Sequence, residues 1–485
     1  MGSKKRSGKG KGPRQGISGN PQRRAEQLAQ RRPAIADEPD LPPLVLDFRS
    51  GKPEDSPLRD LAYSLAGGAE PAPWWGESHE RILAAARALT WPSRLVDLET
   101  QACRIVGDEF YERLNSQPTG FHPAQWLRAL AEETGAALRA SVADGTGDWQ
   151  QLWPLLCGLA LTVPPGDTES ETAKLAREYF PDIKDPYVAA RAEAGQAARL
   201  LADRGLASGL GHRADGCRAT GDPLVARDAY GSRFLLAAPF GYDGEASDHW
   251  YAWDIDSCWI LTVVGAGAFG TAEDALADWQ HAVGPAAGTE LSPSSPETTA
   301  GLLAPCLETG PMPDMLEGSE PRDLVREYYR LRRRAHVLAG SAAAVSAAAT
   351  SSGDDDPGPA REAFLGWYAA RHDDVPQDAA DAVDTILDEW GPRAHPGDRS
   401  RYACSPHRIE MAAHLIRDGY LPDYANAALR LLPEWTRWCI GHSGLNGDFA
   451  ALSRAAALTE AAALVEEETH DPAAERNEAP FRRQE

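Results

Sequence analysis

The sequence predicts a mostly α-helical, multi-domain protein. Helical N-terminal and C-terminal units flank a small central three-stranded antiparallel β meander that is followed by one helix. Three observations predict this. Apolar residues recur at helical spacing through most of the chain, they alternate only between about residues 222 and 285, and Pro/Gly/Ser-rich stretches separate these regimes. At 485 residues the chain exceeds what one hydrophobic core usually serves. The expected division is a basic tail at 1–40, a helical domain at 41–221, the meander at 222–285, a connector at 286–319, an arginine-faced helix at 320–340, a low-complexity linker at 341–359, a helical domain at 360–466 and a frayed tail at 467–485.

Residues 1–40 lack apolar periodicity and are rich in Gly, Pro, Lys, Arg and Gln, so they cannot bury enough surface to offset ordering entropy and are expected to be disordered. The first helix is expected from Ser78, ahead of Ile82, Leu83, Ala86 and Leu89. A second starts at Pro92, where a missing N–H costs least, and a third at Pro123. Asp148 precedes a short, very apolar fourth helix, Trp149 to Val163, which reads as buried and central. Thr168 to Leu206 supplies two more helices around Pro181 and Pro186.

The period then changes. Arg233 to Phe240, His249 to Ile255 and Cys258 to Val264 read as three strands, with Thr271 capping a helix over Ala272 to Val283 and Asp274 completing a capping-box variant. After the Pro/Ser/Thr-rich connector, Pro321 starts an amphipathic helix with Leu324, Tyr328, Leu331, Ala335 and Leu338 on one face and Arg322, Arg326, Arg330 and Arg333 on the other. Those arginines are expected to be solvated or paired within the molecule. In the C-terminal unit, Pro433 is expected to begin a compact helix carrying Trp435, Trp438 and Cys439.

Charge is unevenly spread. Net charge is −23, yet residues 1–32 hold ten Lys and Arg against the single acid Glu26, a local excess of +9 that leaves −32 on the rest. An acidic body disfavours broad contact with polyanions, which leaves the tail either as a solubilising segment or as an electrostatic arm that meets nucleic acid at Lys4, Lys5, Arg6, Lys9, Lys11, Arg14, Arg23 and Arg24. Only seven of the 49 basic residues are lysines, which matches the codon bias of a GC-rich genome. Seven scattered cysteines suit a reducing interior, and neither a secretory leader nor a run of about 18 apolar residues is evident, so a cytoplasmic protein without a membrane span is expected.

Few motifs carry chemistry. Gly265-x-Gly267-x-x-Gly270 has the spacing of a dinucleotide fingerprint, but it follows the third strand of an antiparallel meander and its helix begins only after the last glycine. A bulge and a turn account for these glycines better. Cys404-x-x-His407 and Cys439-x-x-His442 offer the thiolate and imidazole donors of a closed tetrahedral zinc site. Against that, Ile409, Ala412, Ala413, Ile416 and Tyr420 form the apolar face of the helix bearing His407, so His407, Glu410 and His414 occupy its wet face. His249 and Asp254 differ by five residues on one strand and therefore point to opposite sheet faces, which excludes an acid/base pair between them. Walker, HExxH, CxxC, EF-hand and Gly-x-Ser-x-Gly signatures are absent. The reading that remains is a non-catalytic cytoplasmic scaffold or adaptor for protein partners, its tail touching nucleic acid. The alternative is a zinc-binding regulator or enzyme with its site in the C-terminal unit.

Overall fold

The computed structural model describes residues 72–89, 91, 94–116, 123–162, 186–206, 217–242, 248–258, 261–307, 322–339, 358–390, 400–445 and 447–464. The basic tail, nearly all of the 341–359 linker and the 467–485 segment lie outside them. The protein is mostly helical with one small antiparallel sheet, and its chain divides into two compact units. Of the described residues, the larger unit takes those from 72 to 339 with 400 and 401, and the smaller those from 358 to 390 and from 402 to 464.

Among the described residues of the larger unit, five helices come first: α1 (Trp74–Ala86), α2 (Leu95–Ser116), α3 (Pro123–Asp144), α4 (Trp149–Thr162) and α5 (Pro186–Asp203). α1 starts before the expected Ser78. That serine is instead fully buried inside the helix, and the Trp126 Nε1–H donates to its hydroxyl at 3.2 Å. α4 is the central helix its composition predicts, buried at every position from Trp153 to Thr162. The helices approach closely where glycine allows it. A Cβ on Gly158 would lie 2.3 Å from the Ala102 Cβ, and one on Gly107 would lie 2.4 Å from the backbone of Arg326.

The sheet has six strands where three were expected: β1 (Cys217–Ala219), β2 (Leu224–Arg227), β3 (Arg233–Tyr242), β4 (His249–Asp256), β5 (Thr262–Phe269) and β6 (Ser292–Pro293). Their order is β5-β4-β3-β2-β6, all pairs are antiparallel, and β1 pairs with the far end of β3. The added strands are two to four residues long, too short to show alternation. β2 turns into β3 where the Asp228 carboxylate accepts the N–H groups of Ser232 and Arg233 at 2.8 and 3.1 Å, with Gly231 at φ 74°.

The third meander strand also lies four residues later than expected. Asp256 Oδ1 accepts the Cys258 N–H at 2.7 Å and holds the turn, so the strand runs through the glycines instead of ending before them. Its ladder with β4 slips by one residue between Asp254 and Ile255, leaving Val264 unpaired as a bulge.

Alternation along β3 and β4 divides two cores. Phe234, Leu236, Ala238, Phe240, Tyr242, Tyr251, Trp253 and Ile255 face the helical layer. Leu235, Ala237 and Ala252 face α6 (Ala272–Val283), with its Ala275 and Trp279. α6 begins with the expected capping box, in which Thr271 Oγ1 and the Asp274 carboxylate exchange bonds with each other's backbone N–H, both at 3.1 Å. The connector at 286–319 is more structured than its composition implies. It contains β6 and α7 (Pro296–Leu307), whose first turn is held by the Thr298 N–H donating to Ser295 Oγ at 3.1 Å.

α8 (Arg322–Ala339) completes the unit. Its buried residues share one hydrophobic cluster with those of α1–α5 and the inner sheet face, so the stretches 41–221, 222–285 and 320–340 meet in a single core.

The smaller unit contains α9 (Gly358–Ala369), α10 (Ala379–Glu389), α11 (Pro406–Gly419), α12 (Pro422–Ser443) and α13 (Gly447–Ala462) around Phe364, Ile386, Ile416, Trp435 and Trp438. Pro433 does not start a helix: α12 runs through it for 22 residues. Buried flanks on both sides (Leu431, Leu432, Trp435 and Thr436) hold the helix together across the missing N–H.

Candidate functional site

The titratable groups of the larger unit gather where α8 crosses between α2 and the inner sheet face. Glu99 of α2 and Arg334 of α8 are both fully buried, and Arg334 Nη2 donates to Glu99 Oε2 at 2.6 Å. The Tyr242 hydroxyl donates to the same oxygen at 2.7 Å. The guanidinium lies over the rings of Phe240, Tyr242 and Tyr251 at 5.0, 5.4 and 6.0 Å, and Cys217 Sγ meets its Nη1. Burial alone would lower the Arg334 pKa, but Glu99, Tyr242 and Cys217 raise it overall.

One turn earlier, Arg330 pairs with Glu327, donates to Thr100 Oγ1 at 2.6 Å and lies 5.6 Å over Tyr251. The Tyr251 hydroxyl donates to Glu327 Oε2 at 2.9 Å, and Trp253 Nε1–H donates to the Leu331 carbonyl at 3.2 Å. The buried cluster therefore ties α2, α8, β1, β3 and β4 together.

The arginines are paired within the molecule, one of the two expected outcomes, but part of their face is buried instead of wet. Arg322 and Arg326 do lie at the surface, paired with Glu112, Asp108 and Asp323. Arg330, Arg332, Arg333 and Arg334 are all buried. A signal was present in the sequence. Three consecutive helical residues, Arg332 to Arg334, span about 200° of arc, so at least one had to leave the polar face. Nothing in the sequence marks Glu99, Tyr242 or Cys217 as their counterparts, because they lie 235, 92 and 117 residues from Arg334.

His249 is buried in the same place. Its ring stacks on Tyr242 at 5.5 Å and on Phe240 at 6.3 Å, and Arg334 Nη2 donates to its Nε2 at 3.2 Å. Because the guanidinium offers only donors, that bond requires Nε2 to be unprotonated and puts any ring proton on Nδ1. Burial first, then the positive charges of Arg334, Arg330 and Arg94, push its pKa down to about 3. Burial and Arg332 push His336, on the same helix, down to about 4.

Asp254 turns to the opposite sheet face as its spacing predicts. Arg233 grips it there with two donors at 2.8 and 2.5 Å, and Trp279 Nε1–H adds a bond at 3.0 Å. Gly265 and Gly267 lie within β5, which pairs only antiparallel to β4. No parallel unit cradles a pyrophosphate there.

The two halves of the CxxH pair are brought into one core, but their donors are not. Cys404 and Cys439 are fully buried; burial pushes the Cys404 thiol up to about 11 and Cys439 well above its usual value. His407 and His442 are exposed. His442 stacks on Tyr402 at 4.8 Å, and its Nδ1–H donates to the Trp438 carbonyl at 2.9 Å. No three of the ligand atoms of Cys404, His407, Cys439 and His442 lie within 4.8 Å of one another. A closed zinc tetrahedron does not fit this arrangement. The tail residues Lys4, Lys5, Arg6, Lys9, Lys11, Arg14, Arg23 and Arg24 lie outside the described residues. No protein-family model, curated protein or solved structure matches the chain.

Two outcomes follow from the buried cluster. Removing one member of the ion pair strands the other in the core, so Glu99→Gln is expected to cost about 3–5 kcal/mol in urea unfolding. The double change Glu99→Leu with Arg334→Met is expected to recover most of that loss. Equal or greater destabilisation in the double variant would show that the two groups do not act as a pair.

His249 links stability to pH. Its folded pKa lies below the unfolded value of 6.5, so its neutral form contributes fully above pH 6.5, and that contribution is lost as pH falls toward 3. Stability is expected to fall by up to about 1.4 kcal/mol per pH unit from this ring alone. His249→Gln, which keeps an acceptor but cannot titrate, should flatten the decline between pH 6.5 and 4 relative to the parent chain. A parallel decline in both would remove His249 from the account.

Proposed function

We propose that this chain is a non-catalytic, mostly helical cytoplasmic adaptor that binds a protein partner through its smaller unit, with the basic tail adding contact to nucleic acid. The observation that carries this reading is the outer face of α13. Leu452 and Leu458 are 53% and 62% exposed there, and Ala451, Ala455, Thr459 and Ala462 are exposed between them. At about 100° per residue these six positions fall within one arc of roughly 120°. The only charge within that arc is Asp448, in the first turn. A contiguous apolar helix face of this kind is what a partner's groove takes up.

Two further features support it. The ionisable groups around Arg334 are bonded to one another inside the core, which suits support of the fold better than turnover of a substrate. All seven cysteines are free and buried, as suits a reducing compartment. No described helix is long and apolar enough to cross a membrane.

The experiment is capture from a cell lysate by the full chain, compared with Leu452→Asp/Leu458→Asp. These positions are exposed, so the fold should keep its stability within about 0.5 kcal/mol. Partner retention should drop about tenfold, the loss expected for an interface anchor worth about 1.4 kcal/mol. Equal capture by both proteins would remove α13 from the account. For the tail, deleting residues 1–40 should abolish salt-sensitive retention on DNA or RNA, because the tail holds the local positive excess. Undiminished retention would place that contact elsewhere.

A further inference from the structure

The two edges of the sheet are built differently. At one end lies β6, only Ser292–Pro293, where the brevity and the proline stop a further strand from adding. At the other lies β5, eight residues reading TVVGAGAF, with no charge and no proline. Among the described residues, no backbone hydrogen bond runs from 263–269 to anything but β4. The bulge at Val264 leaves Gly265–Phe269 as a regular segment, and each of these five residues is partly accessible to solvent or exposed. In an antiparallel ladder every second residue of such a strand turns its N–H and C=O away from its partner. Among the described residues, the β5 edge beyond its bulge therefore carries a row of unused donors and acceptors with neither a charge nor a proline to block it.

We infer that this edge receives a second copy of the chain, β5 pairing with β5 about a two-fold axis. The same strand on two copies related in this way runs antiparallel, so the pair is self-complementary. Directly opposed side chains in such a pair lie about 5 Å apart, and like charges there are destabilising. A chain of net charge −23 repels its own copy over most of its surface. β5 is an uncharged exception, and its central Gly265, Ala266, Gly267 and Ala268 place nothing larger than a methyl group in the way. Pairing joins the two sheets into one and satisfies the open edge on both copies. The inference does not depend on the adaptor reading, which rests on α13.

The test is sedimentation velocity of the full chain over a wide concentration series, with backbone hydrogen exchange at both ends of the series. The parent chain is expected to dimerise, and the amides of Gly265–Phe269 to exchange more slowly at high concentration. Gly267→Lys is expected to weaken the dimer at least tenfold. A Cβ at Gly267 approaches nothing nearer than the Phe269 ring at 3.5 Å, so the monomer accommodates it. Leu458→Lys, on α13, is expected to leave the dimer intact. A parent chain that stays monomeric overturns the inference. So does a dimer that survives Gly267→Lys, or β5 exchange that ignores concentration; the sedimentation and exchange of the parent chain decide the matter even if the variant folds poorly.

Discussion

A carboxylate and a guanidinium with no access to water sit at the centre of the larger unit, and much of its architecture follows from keeping them together. Taking either charge out of water costs several kcal/mol, and the interaction at 2.6 Å offsets that only while both partners stay in place. Glu99 belongs to the helical layer, Arg334 to the helix that crosses it, and the Tyr242 hydroxyl, which shares Glu99 Oε2, to the sheet. Sliding α8 by one turn toward its N-terminus would bring Leu338 against Glu99 and leave that carboxylate uncompensated. The pair therefore fixes register more than it adds stability. Arg330 with Glu327 and Thr100, and Trp253 with the Leu331 carbonyl, repeat the same registration one turn away.

The guanidinium that satisfies Glu99 also limits what its neighbours can do. With Arg334 donating to His249 Nε2 at 3.2 Å, the imidazole is confined to one neutral tautomer. Burial holds the Cys217 thiol and the Tyr242 hydroxyl to similarly fixed states: it raises both above their usual range, against the opposing pull of the Arg334 cation. Groups that could act as acid, base or nucleophile in an open cleft are here held in single protonation states. The chemistry is spent on assembling the core.

Elements whose signal is local were legible in the sequence, and elements fixed by distant partners were not. The buried α4, the Thr271–Asp274 capping box and the antiparallel pairing of the glycine-bearing strand all follow from a few adjacent residues. β1, β2 and β6 escaped because two to four residues carry no period, and each is defined only by the strand it meets. The start of α1 at Trp74 was missed because Ser78 looks like a cap. In fact its hydroxyl accepts a bond from Trp126, 48 residues away. The arginines of α8 were misplaced for the same reason. Helical spacing sorts residues by polarity, but it cannot show that another helix supplies a buried acid for the polar face. For the CxxH pair, spacing that suits a metal and an apolar helix face that argues against one stood side by side, and the structure packs the two cysteines as small apolar groups with their histidines turned outward.

With these ionic groups enclosed, the proposed contacts of the chain rest on the shape and pairing of its surface. The net negative charge disfavours indiscriminate contact with polyanions, and against that background two described stretches stand out, one with a single charge in its first turn and one with none. One is the α13 face around Leu452 and Leu458, and the other is the β5 edge around Gly267. They lie on different units and use different physics. In the proposed contact on α13 the driving force would be burial of apolar area, which tolerates small changes of angle between the partners. In the proposed pairing on β5 it would be the joining of backbone groups, which demands one register and one direction. β6 ends in a proline, whereas β5 carries neither proline nor charge, and that asymmetry between the two ends of the sheet is what the proposed strand pairing would use.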